Sequence, residues 1–371
     1  MHVVVAGDIG GAERLLVDLA SRPMHTGACH EVALITPNRA LARYFTGAGL
    51  CVHDRGPSRA GPIAYLKRSF GRADVDWLVS LFAERKTDVV HTHTFASHVV
   101  GTRAARAAKL PQLRTEHHVM HYFDPSCSPF TRWAAARTQA FVAVSAYVRR
   151  VLEGTAPAVA ARTTVVRNGI DTDYWAPRPA LHPRGARPFR VAVICRLTAW
   201  KRVDLALRAA ALAGVEIVVI GDGEERGRLE ALAASCRAHA TFVGHKADPR
   251  ADIAACDLVV STADREPLGL SVLESLAMER PVVAFAGGGI PEIVEHEVTG
   301  WLVPEATPAA FAAAITRARE VAERRLATMG ARARRFAMEH GRIDQTCDGY
   351  ATAYRALALA PAARGPAEEP S

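Results

Sequence analysis

The sequence predicts an α/β protein made of two doubly wound, Rossmann-like domains that face a cleft. Short apolar runs alternate with longer segments of helical period along the whole chain. The runs are continuously apolar, which is typical of parallel strands covered by helices on both faces. The chain has 371 residues, more than the roughly 250 residues that one hydrophobic core usually serves. Two domains are therefore expected.

The predicted strands form one group in each half of the chain. Those of the first half are "HVVVAG", "HEVALIT", "DVVHTH", "FVAVS" and "TTVVRNG". Those of the second half are "FRVAVIC", "VEIVVIGDG", "ATFVGH", "CDLVVST" and "PVVAFAGG". Between the groups, the segment 175–189 contains four prolines and one glycine, which disfavour regular structure. We assign 1–178 to an N-terminal domain and 186–342 to a C-terminal domain, and we expect 361–371 to be disordered.

The composition is that of a globular protein, with 49% hydrophobic and 23% charged residues. No apolar run reaches the roughly 18 residues that a membrane span needs. The opening "MHVVVAGDIGGAERLL" lacks the basic start and cleavage site of a secretory signal, so a cytoplasmic location is predicted. Seven widely spaced cysteines without a Cys-x-x-Cys pair predict reduced, mostly buried thiols.

The excess positive charge lies in the first half of the chain. Residues 1–183 contain 22 Lys and Arg against 14 Asp and Glu, whereas residues 184–371 contain 24 of each. One interpretation is an anionic partner for the first domain, such as a phosphorylated acceptor or the inner membrane surface. The other is a set of arginine-rich, solvated helix faces. The pattern shows no nucleic-acid-binding motif, so no nucleic-acid partner is predicted.

Two cations follow the first strand of the second domain, in "CRLTAWKR". Arg196 and Lys201 leave the strand end five residues apart, where a turn or helix start can direct both side chains into the cleft. A guanidinium and an ammonium suit a diphosphate. The competing interpretation is a pair of surface cations at a helix start, where the helix dipole disfavours them.

Two glutamates eight residues apart stand in "DREPLGLSVLESLA". Glu266 precedes a turn in which the backbone N–H groups of Gly269, Leu270 and Ser271 can bind an anion at a helix start. We expect this helix to begin near Ser271. Glu274 then has two interpretations, a ligand contact or the third helical residue of a capping box with Ser271 as N-cap. The glycines at 287–289 allow another close backbone approach.

The first domain offers a glycine pair and a group of histidines. Gly10 and Gly11 lie between a strand and a helix, but their spacing misses the dinucleotide-binding fingerprint, and no acidic residue closes the second strand. His91 and His93 share one face of a strand, yet no sulfur or carboxylate joins them at a customary metal-ligand spacing, so no metal site is predicted. We expect His117 to form hydrogen bonds in the cleft.

Together these residues resemble the retaining glycosyltransferases of family 4, which have the GT-B fold. The similarity covers about residues 1–355 and depends on motifs in a fixed order: "GGAE" at 10–13, "TEH" at 115–117, "NGID" at 168–171, Arg196 with Lys201, and Glu266 with Glu274 before "GGGIPEIV". The resemblance implies that a final helix at 343–360 crosses back to the first domain. It also implies a nucleotide sugar, most simply a UDP-sugar, as donor, with no cofactor.

The resemblance also implies a role for each site residue. Glu266 would lie beside the donor sugar, and Glu274 would bind the ribose hydroxyls. Arg196 and Lys201 would neutralise the leaving diphosphate in place of a metal ion, with backbone amides of Gly11, Gly269, Leu270 and Ser271 assisting. His117 would contact the sugar on the acceptor side, where Gly10, His93 and Asn168 are further candidates.

Two other classes of protein compete with this interpretation. A nicotinamide-dependent oxidoreductase would need the dinucleotide fingerprint that the first domain lacks. A non-catalytic nucleotide-sugar-binding protein of two α/β lobes would bind the same ligand and transfer nothing. The acceptor is open at this point: a small molecule, a lipid or a polysaccharide hydroxyl fits equally well.

Overall fold

The computed structural model describes residues 1–5, 9–36, 38–56, 71–178 and 188–359. The chain divides into two compact units. Unit 1 comprises Met1–Arg167 and the residues from Asp344 onward, and unit 2 comprises Asn168–Ile343. The predicted disordered tail lies outside the described residues, and so do residues 179–187 of the proline-rich segment 175–189.

Unit 1 contains a seven-stranded parallel sheet in the order β3-β2-β1-β4-β5-β6-β7. Its strands are β1 (His2–Val4), β2 (Glu31–Leu34), β3 (Cys51–Asp54), β4 (Val90–Thr92), β5 (Gln112–Glu116), β6 (Ala140–Ala143) and β7 (Thr163–Val165). Its helices before the crossing into unit 2 are α1 (Gly11–Ala20), α2 (Pro23–Thr26), α3 (Arg39–Gly47), α4 (Ala73–Glu84), α5 (Phe95–Ala107), α6 (Met120–Phe123), α7 (Ser128–Ala135), α8 (Ala146–Thr155) and α9 (Pro157–Ala160).

Unit 2 contains a six-stranded parallel sheet in the order β10-β9-β8-β11-β12-β13. Its strands are β8 (Arg190–Ile194), β9 (Glu216–Ile220), β10 (His239–Gly244), β11 (Leu258–Ser261), β12 (Val282–Phe285) and β13 (Gly300–Val303). Its helices are α10 (Val203–Ala213), α11 (Arg226–Ser235), α12 (Arg250–Ala254), α13 (Leu270–Ala277), α14 (Pro308–Glu320) and α15 (Glu323–His340). Short 3₁₀ turns occupy Ala199–Lys201 and Ile290–Glu292.

Both sheets are doubly wound, as the continuous apolar runs predicted. The strand order reverses between β1 and β4 in unit 1 and between β8 and β11 in unit 2. Sheets of this kind bind ligands beyond the carboxyl ends of their strands at this reversal. Three strands, β3, β5 and β13, were missed from the sequence, because β3 and β5 mix polar with apolar residues and the apolar run of β13 is only three residues long.

The last helix, α16 (Ile343–Leu359), supplies part of the core of unit 1. Cys347, Tyr350 and Ala351 are almost completely buried. Gly349 is required at its position, because a Cβ atom there would lie 2.7 Å from Cγ1 of Val166. The far end of the chain therefore completes the first unit.

The boundary between the units differs from the sequence prediction. The segment 168–178, assigned to the first domain, belongs to unit 2. The amide of Ile170 donates to the carbonyl of Gly341 at 2.8 Å, and Trp175 is buried in an apolar cluster of unit 2. The guanidinium of Arg250 lies 3.6 Å above the ring of Tyr174. The prolines that suggested the boundary therefore follow the true division by about ten residues.

Candidate active site

The predicted diphosphate cations come from the loop after β8. Arg196 is exposed, whereas Lys201 ends the 3₁₀ turn Ala199–Lys201 with its side chain 15% exposed. The ammonium of Lys201 lies 4.1 Å from the ring centroid of Trp200 and forms an ion pair with Glu266. The structure thus pairs two predicted site residues that are 65 positions apart.

Hydrogen bonds between loops hold Lys201 in this place. The hydroxyl of Thr262, just after β11, lies 3.0 Å from the carbonyl oxygen of Lys201 and 2.7 Å from that of Arg202. Arg202 has a positive φ of 52°, which ends the turn and starts α10. Thr262 is 2% exposed and was missed by sequence reasoning, because a buried threonine gives no pattern that points to a neighbouring loop.

Glu266 lies in the loop between β11 and α13, and its side chain is 13% exposed. The glycine run after β12 packs against this loop. A Cβ atom at Gly288 would lie 2.2 Å from the carbonyl oxygen of Glu266, and one at Gly289 would lie 2.2 Å from that of Pro267. The amide of Gly289 donates to the Glu266 carbonyl at 2.8 Å. The close backbone approach predicted for these glycines is therefore made by the loop that carries Glu266.

The capping-box interpretation of Glu274 is wrong. Helix α13 begins at Leu270 with Gly269 as its N-cap, so Glu274 is the fifth helical residue and lies beyond the reach of a cap. Gly269 has a φ of 96°, a conformation that side-chain-bearing residues rarely adopt. This glycine lets the helix start one residue earlier than the Ser271 expected from the sequence. Glu274 is 5% exposed, so it is a buried carboxylate without a capping role.

The start of α13 presents backbone donors beside these side chains. The first N–H groups of a helix have no partner within the helix, and the helix dipole places partial positive charge there. In α13 these are the amides of Leu270 and Ser271, because Val272 already donates to Gly269 at 3.0 Å. The ion pair of Lys201 with Glu266 therefore lies in the loop that leads into this helix start, and a cation, a carboxylate and free helix amides suit an anionic, hydroxyl-bearing ligand.

The glycine loop of unit 1 is only partly available to a ligand. Gly10 is the N-cap of α1, and its amide donates to the carboxylate of Glu13 at 2.9 Å. Glu13 is 6% exposed, so the carboxylate of this glutamate in "GGAE" binds the backbone of its own loop. Gly11 is the first residue of α1 and is exposed. Of the two candidate glycines, Gly11 is therefore the better ligand contact.

Three histidines of unit 1 lie together at the paired strands β1 and β4. His91 in β4 and His93 just after it have ring centroids 4.1 Å apart. His2 in β1 brings a ring nitrogen of its own within 4.8 Å of theirs. This third histidine was missed because it is 89 residues away in sequence, in the strand paired with β4. The sequence offered no sulfur or carboxylate beside His91 and His93, whereas strand pairing supplies a third imidazole.

His117 follows β5, is half-buried, and has its Nε2 3.3 Å from Nδ1 of His93. Burial, together with the nearby charge of Arg114, lowers the pKa of His117 to about 3. Its imidazole is therefore neutral at physiological pH. Asn168, the remaining candidate, belongs to unit 2, where its Oδ1 is buried and has no hydrogen-bond partner among the described residues.

A buried ion network next to His117 was not predicted as a unit. Arg114 holds Glu116 through two hydrogen bonds of 3.1 Å, and Tyr122 donates to the same carboxylate at 2.9 Å. Burial alone would raise the pKa of Glu116, but Arg114 and His121 outweigh it and hold that pKa well below its usual range. The "TEH" motif gave a signal at this position without indicating the partners.

Solved structures and sequence relatives agree on what the molecule is. The fold is similar to that of Anabaena HepE, solved with UDP and glucose, at a TM-score of 0.81 and 23% identity over 97% of this chain and 99% of that one. This similarity shows the GT-B fold.

Two family models match in sequence order: Glycosyltransferase Family 4 at residues 9–174 and Glycosyl transferases group 1 at residues 182–336. The chain is 30% identical to a D-inositol 3-phosphate glycosyltransferase of Kineococcus radiotolerans over 70% of this chain and 69% of that protein. The chain belongs to the family 4 glycosyltransferases, which sets aside the oxidoreductase and the non-catalytic binding protein. It also matches an amylovoran biosynthesis glycosyltransferase of Erwinia amylovora at 30% identity, over 43% of this chain and 42% of that protein.

Within the described ranges, no helix is both long and apolar enough to cross a bilayer.

Proposed function

We propose that the protein transfers a sugar from a UDP-sugar to a hydroxyl group, with retention of the anomeric configuration. The observation that carries the proposal is the cluster at the start of α13, where Lys201 pairs with Glu266 and the buried Glu274 lies one turn into the helix. A nucleotide sugar needs cations for its diphosphate and acceptors for its hydroxyl groups. This cluster offers both, and HepE, a structural relative, was solved with UDP and UDP-glucose.

In the proposed reaction, Arg196 and Lys201 bind the diphosphate, and the amides at the start of α13 assist them. The bond between the anomeric carbon and the phosphate oxygen breaks, and the charge that develops on the phosphate is stabilised by these donors. The acceptor oxygen forms the new bond on the same face, and its proton passes to the departing phosphate. No metal ion enters this scheme, because the protein supplies the positive charge.

The ion pair between Lys201 and Glu266 gives Glu266 a second role. Without a nucleotide, the carboxylate neutralises the ammonium and holds it in place. A diphosphate would compete for Lys201, which leaves Glu266 available to accept hydrogen bonds from the sugar hydroxyls. Glu274, buried one turn into α13, would bind the ribose hydroxyls. The acceptor is a hydroxyl of a small molecule, a lipid or a polysaccharide, and we assign its binding to unit 1.

The two glutamates test the proposal. Glu274→Gln should weaken UDP binding by roughly 1.5–3 kcal/mol, the scale of a charge-assisted hydrogen bond. Its melting temperature is measured alongside, because Glu274 is buried. Glu266→Gln should lower kcat sharply without weakening UDP binding, because it removes the charge that competes with the diphosphate for Lys201. Calorimetry with UDP, GDP and ADP measures the affinities and identifies the base.

The matched control is Glu230→Gln, an exposed glutamate on α11 paired only with Arg226 at 2.8 Å among the described residues. This substitution should change neither the affinity for UDP nor kcat. If no nucleoside diphosphate binds the wild-type chain, the proposed donor is wrong. Proton NMR of the product reports the anomeric configuration, and an inverted linkage would exclude the retaining mechanism.

A further inference from the structure

Four histidine side chains form a continuous hydrogen-bonded chain inside unit 1. Nδ1 of His30 lies 2.8 Å from Nε2 of His2, and Nδ1 of His2 lies 2.9 Å from Nε2 of His93. Nδ1 of His93 in turn lies 3.3 Å from Nε2 of His117. Every link therefore joins an Nδ1 atom to the Nε2 atom of the next ring. We call these four residues the histidine chain.

The rings of the histidine chain are neutral at physiological pH. Burial lowers the pKa of His30 to about 4 and that of His117 to about 3. Burial and the neighbouring imidazoles hold the pKa of His2 well below 6.5, and burial together with His117 does the same for His93. A neutral imidazole has one N–H donor and one acceptor nitrogen.

Neutral rings linked in this way have only two proton arrangements. If His30 donates through Nδ1, then His2, His93 and His117 must all carry their proton on Nδ1. If His30 instead accepts at Nδ1, all four rings carry their proton on Nε2. The tautomer of His30 at one end of the histidine chain therefore fixes the tautomer of His117 at the other end.

The environment of His30 distinguishes the two arrangements. Nε2 of His30 is buried and has no hydrogen-bond partner among the described residues. The second arrangement would place an N–H group at this atom without an acceptor, and buried N–H groups without partners are rarer in proteins than under-used acceptors. The first arrangement leaves an unprotonated nitrogen there instead, so all four protons lie on Nδ1.

We propose that the histidine chain holds His117 in its Nδ1–H tautomer, so that His117 offers a hydrogen-bond donor, and never an acceptor, to a sugar oxygen. The ring nitrogen that a histidine leaves for its ligand is set by the hydrogen bond at the other nitrogen. His93 is then a positioning residue that acts through His117, and His2 and His30 extend its effect. The role of the sugar oxygen depends on the proposed function, whereas the tautomer does not.

His91 provides a matched control within the same cluster. It is as deeply buried as His2 and lies against His93. Its nitrogens bond elsewhere, Nδ1 to the hydroxyl of Tyr354 and Nε2 to that of Thr115, both at 2.8 Å. Replacement of His91 therefore removes packing and hydrogen bonds next to the histidine chain without breaking a link of it.

The direct test is two-bond proton–nitrogen NMR on wild-type protein labelled with ¹⁵N-histidine, at pH 7.5 and with chelator present. We expect Nδ1–H tautomers for His2, His30, His93 and His117. The exposed His296 and His340 of unit 2 serve as references, because imidazoles in water favour Nε2–H. Nε2–H signals from His93 and His117 would overturn the proposal, and so would metal-shifted signals from His2 and His93.

Variants test the consequence for activity. His93→Phe should release His117 to the Nε2–H tautomer and lower kcat/KM for the sugar nucleotide about threefold to tenfold, the scale of one hydrogen bond, with UDP affinity unchanged. His93→Asn, whose amide can donate in place of Nδ1, should restore much of this loss. His91→Phe should leave the His117 tautomer unchanged.

The two proposals fail in different ways. Equal losses of activity in His93→Phe and His91→Phe would attribute the effect to packing and overturn the positioning role. Nδ1–H tautomers in a protein that transfers sugar from no nucleotide sugar would support the histidine chain and refute the proposed function.

Discussion

The two units have the same doubly wound strand order around β1 and β8, but they place their polar groups differently. In unit 1, β1 and β4 carry His2 and His91 in their interior, and Arg114 and Glu116 lie in β5. In unit 2, the corresponding central strands β8 and β11 bury valine, alanine and leucine. The charged pair of the candidate site in unit 2, Lys201 with Glu266, lies in the loops after these strands. The same sheet architecture therefore buries polar side chains within its strands in unit 1, whereas the charged pair of unit 2 lies beyond the strand ends.

This difference separates the expected effects of substitutions. Five histidines are buried among the described residues, and all belong to unit 1: His2, His91, His93, His98 and His121. The described histidines of unit 2 are exposed. Changes to the buried charges of unit 1 should affect folding, whereas changes to the loop charges of unit 2 should affect ligand binding and catalysis.

The largest expected effect is the loss of unit 1 structure in acid. Burial lowers the pKa of several histidines of unit 1 in the folded state, to about 4 for His30 and about 3 for His117, against about 6.5 in an unfolded chain. Below pH 6.5 the unfolded state therefore binds more protons, so the free energy of unfolding falls progressively between about pH 6.5 and 4.

Hydrogen exchange of the full chain at pH 7 and pH 5, corrected for intrinsic rates, measures this effect unit by unit. Amides in β1, β4 and β5 should lose protection, while those in β8 and β11 serve as the internal reference. Equal losses in both units would contradict the assignment of acid sensitivity to the buried histidines.

The second effect comes from the buried ion network of unit 1. Glu116→Gln should lower the free energy of unfolding by about 3–5 kcal/mol, because it leaves the charge of Arg114 buried without its carboxylate. Arg114 is 1% exposed and cannot turn to water. Urea denaturation measures the change, and Glu153→Gln, at an exposed site paired with Arg149, is the control. A loss below about 1 kcal/mol, the scale of a surface pair, would show that the network contributes little to stability.

The third effect lies in unit 2 and concerns catalysis. Lys201→Ala should lower kcat by about 10² or more, the scale of removing one donor that stabilises developing charge. Its melting temperature is measured alongside, because the side chains of Lys201 and Glu266 are only 15% and 13% exposed and the substitution removes their ion pair. Steady-state kinetics test this, with Lys109→Ala, an exposed residue of unit 1, as the control. Activity close to wild type would remove Lys201 from the diphosphate site.

The smallest expected effect is that of a chelator. Turnover in excess EDTA should stay near its untreated value, because Arg196 and Lys201 supply the positive charge. Loss of activity restored by Mg²⁺ or Mn²⁺ would refute metal independence. Restoration by Zn²⁺ alone would point to His2, His91 and His93, and would transfer part of the chemistry to unit 1.

The fold and the charged residues of unit 2 could be predicted because local patterns carry them. Apolar runs indicated both sheets, and local motifs singled out Lys201 and Glu266, which the structure pairs. The exact start of α13 could not be predicted, since a helix that begins after a glycine with positive φ leaves no capping pattern. The proximity of His2 and His30 to His93 could not be predicted either. Only strand pairing brings these residues together, and strand pairing is a long-range property.

The return of α16 to unit 1 has a consequence for synthesis on the ribosome. Tyr350 and Tyr354 of this helix bond to Thr115 and His91, so they cover the histidine face. These tyrosines are translated only after all of unit 2. Domains usually fold in order as they emerge, yet unit 1 begins first and is completed last. The nascent chain therefore exposes the histidine face of the sheet throughout the translation of unit 2. A truncation before residue 343 would leave this face exposed permanently.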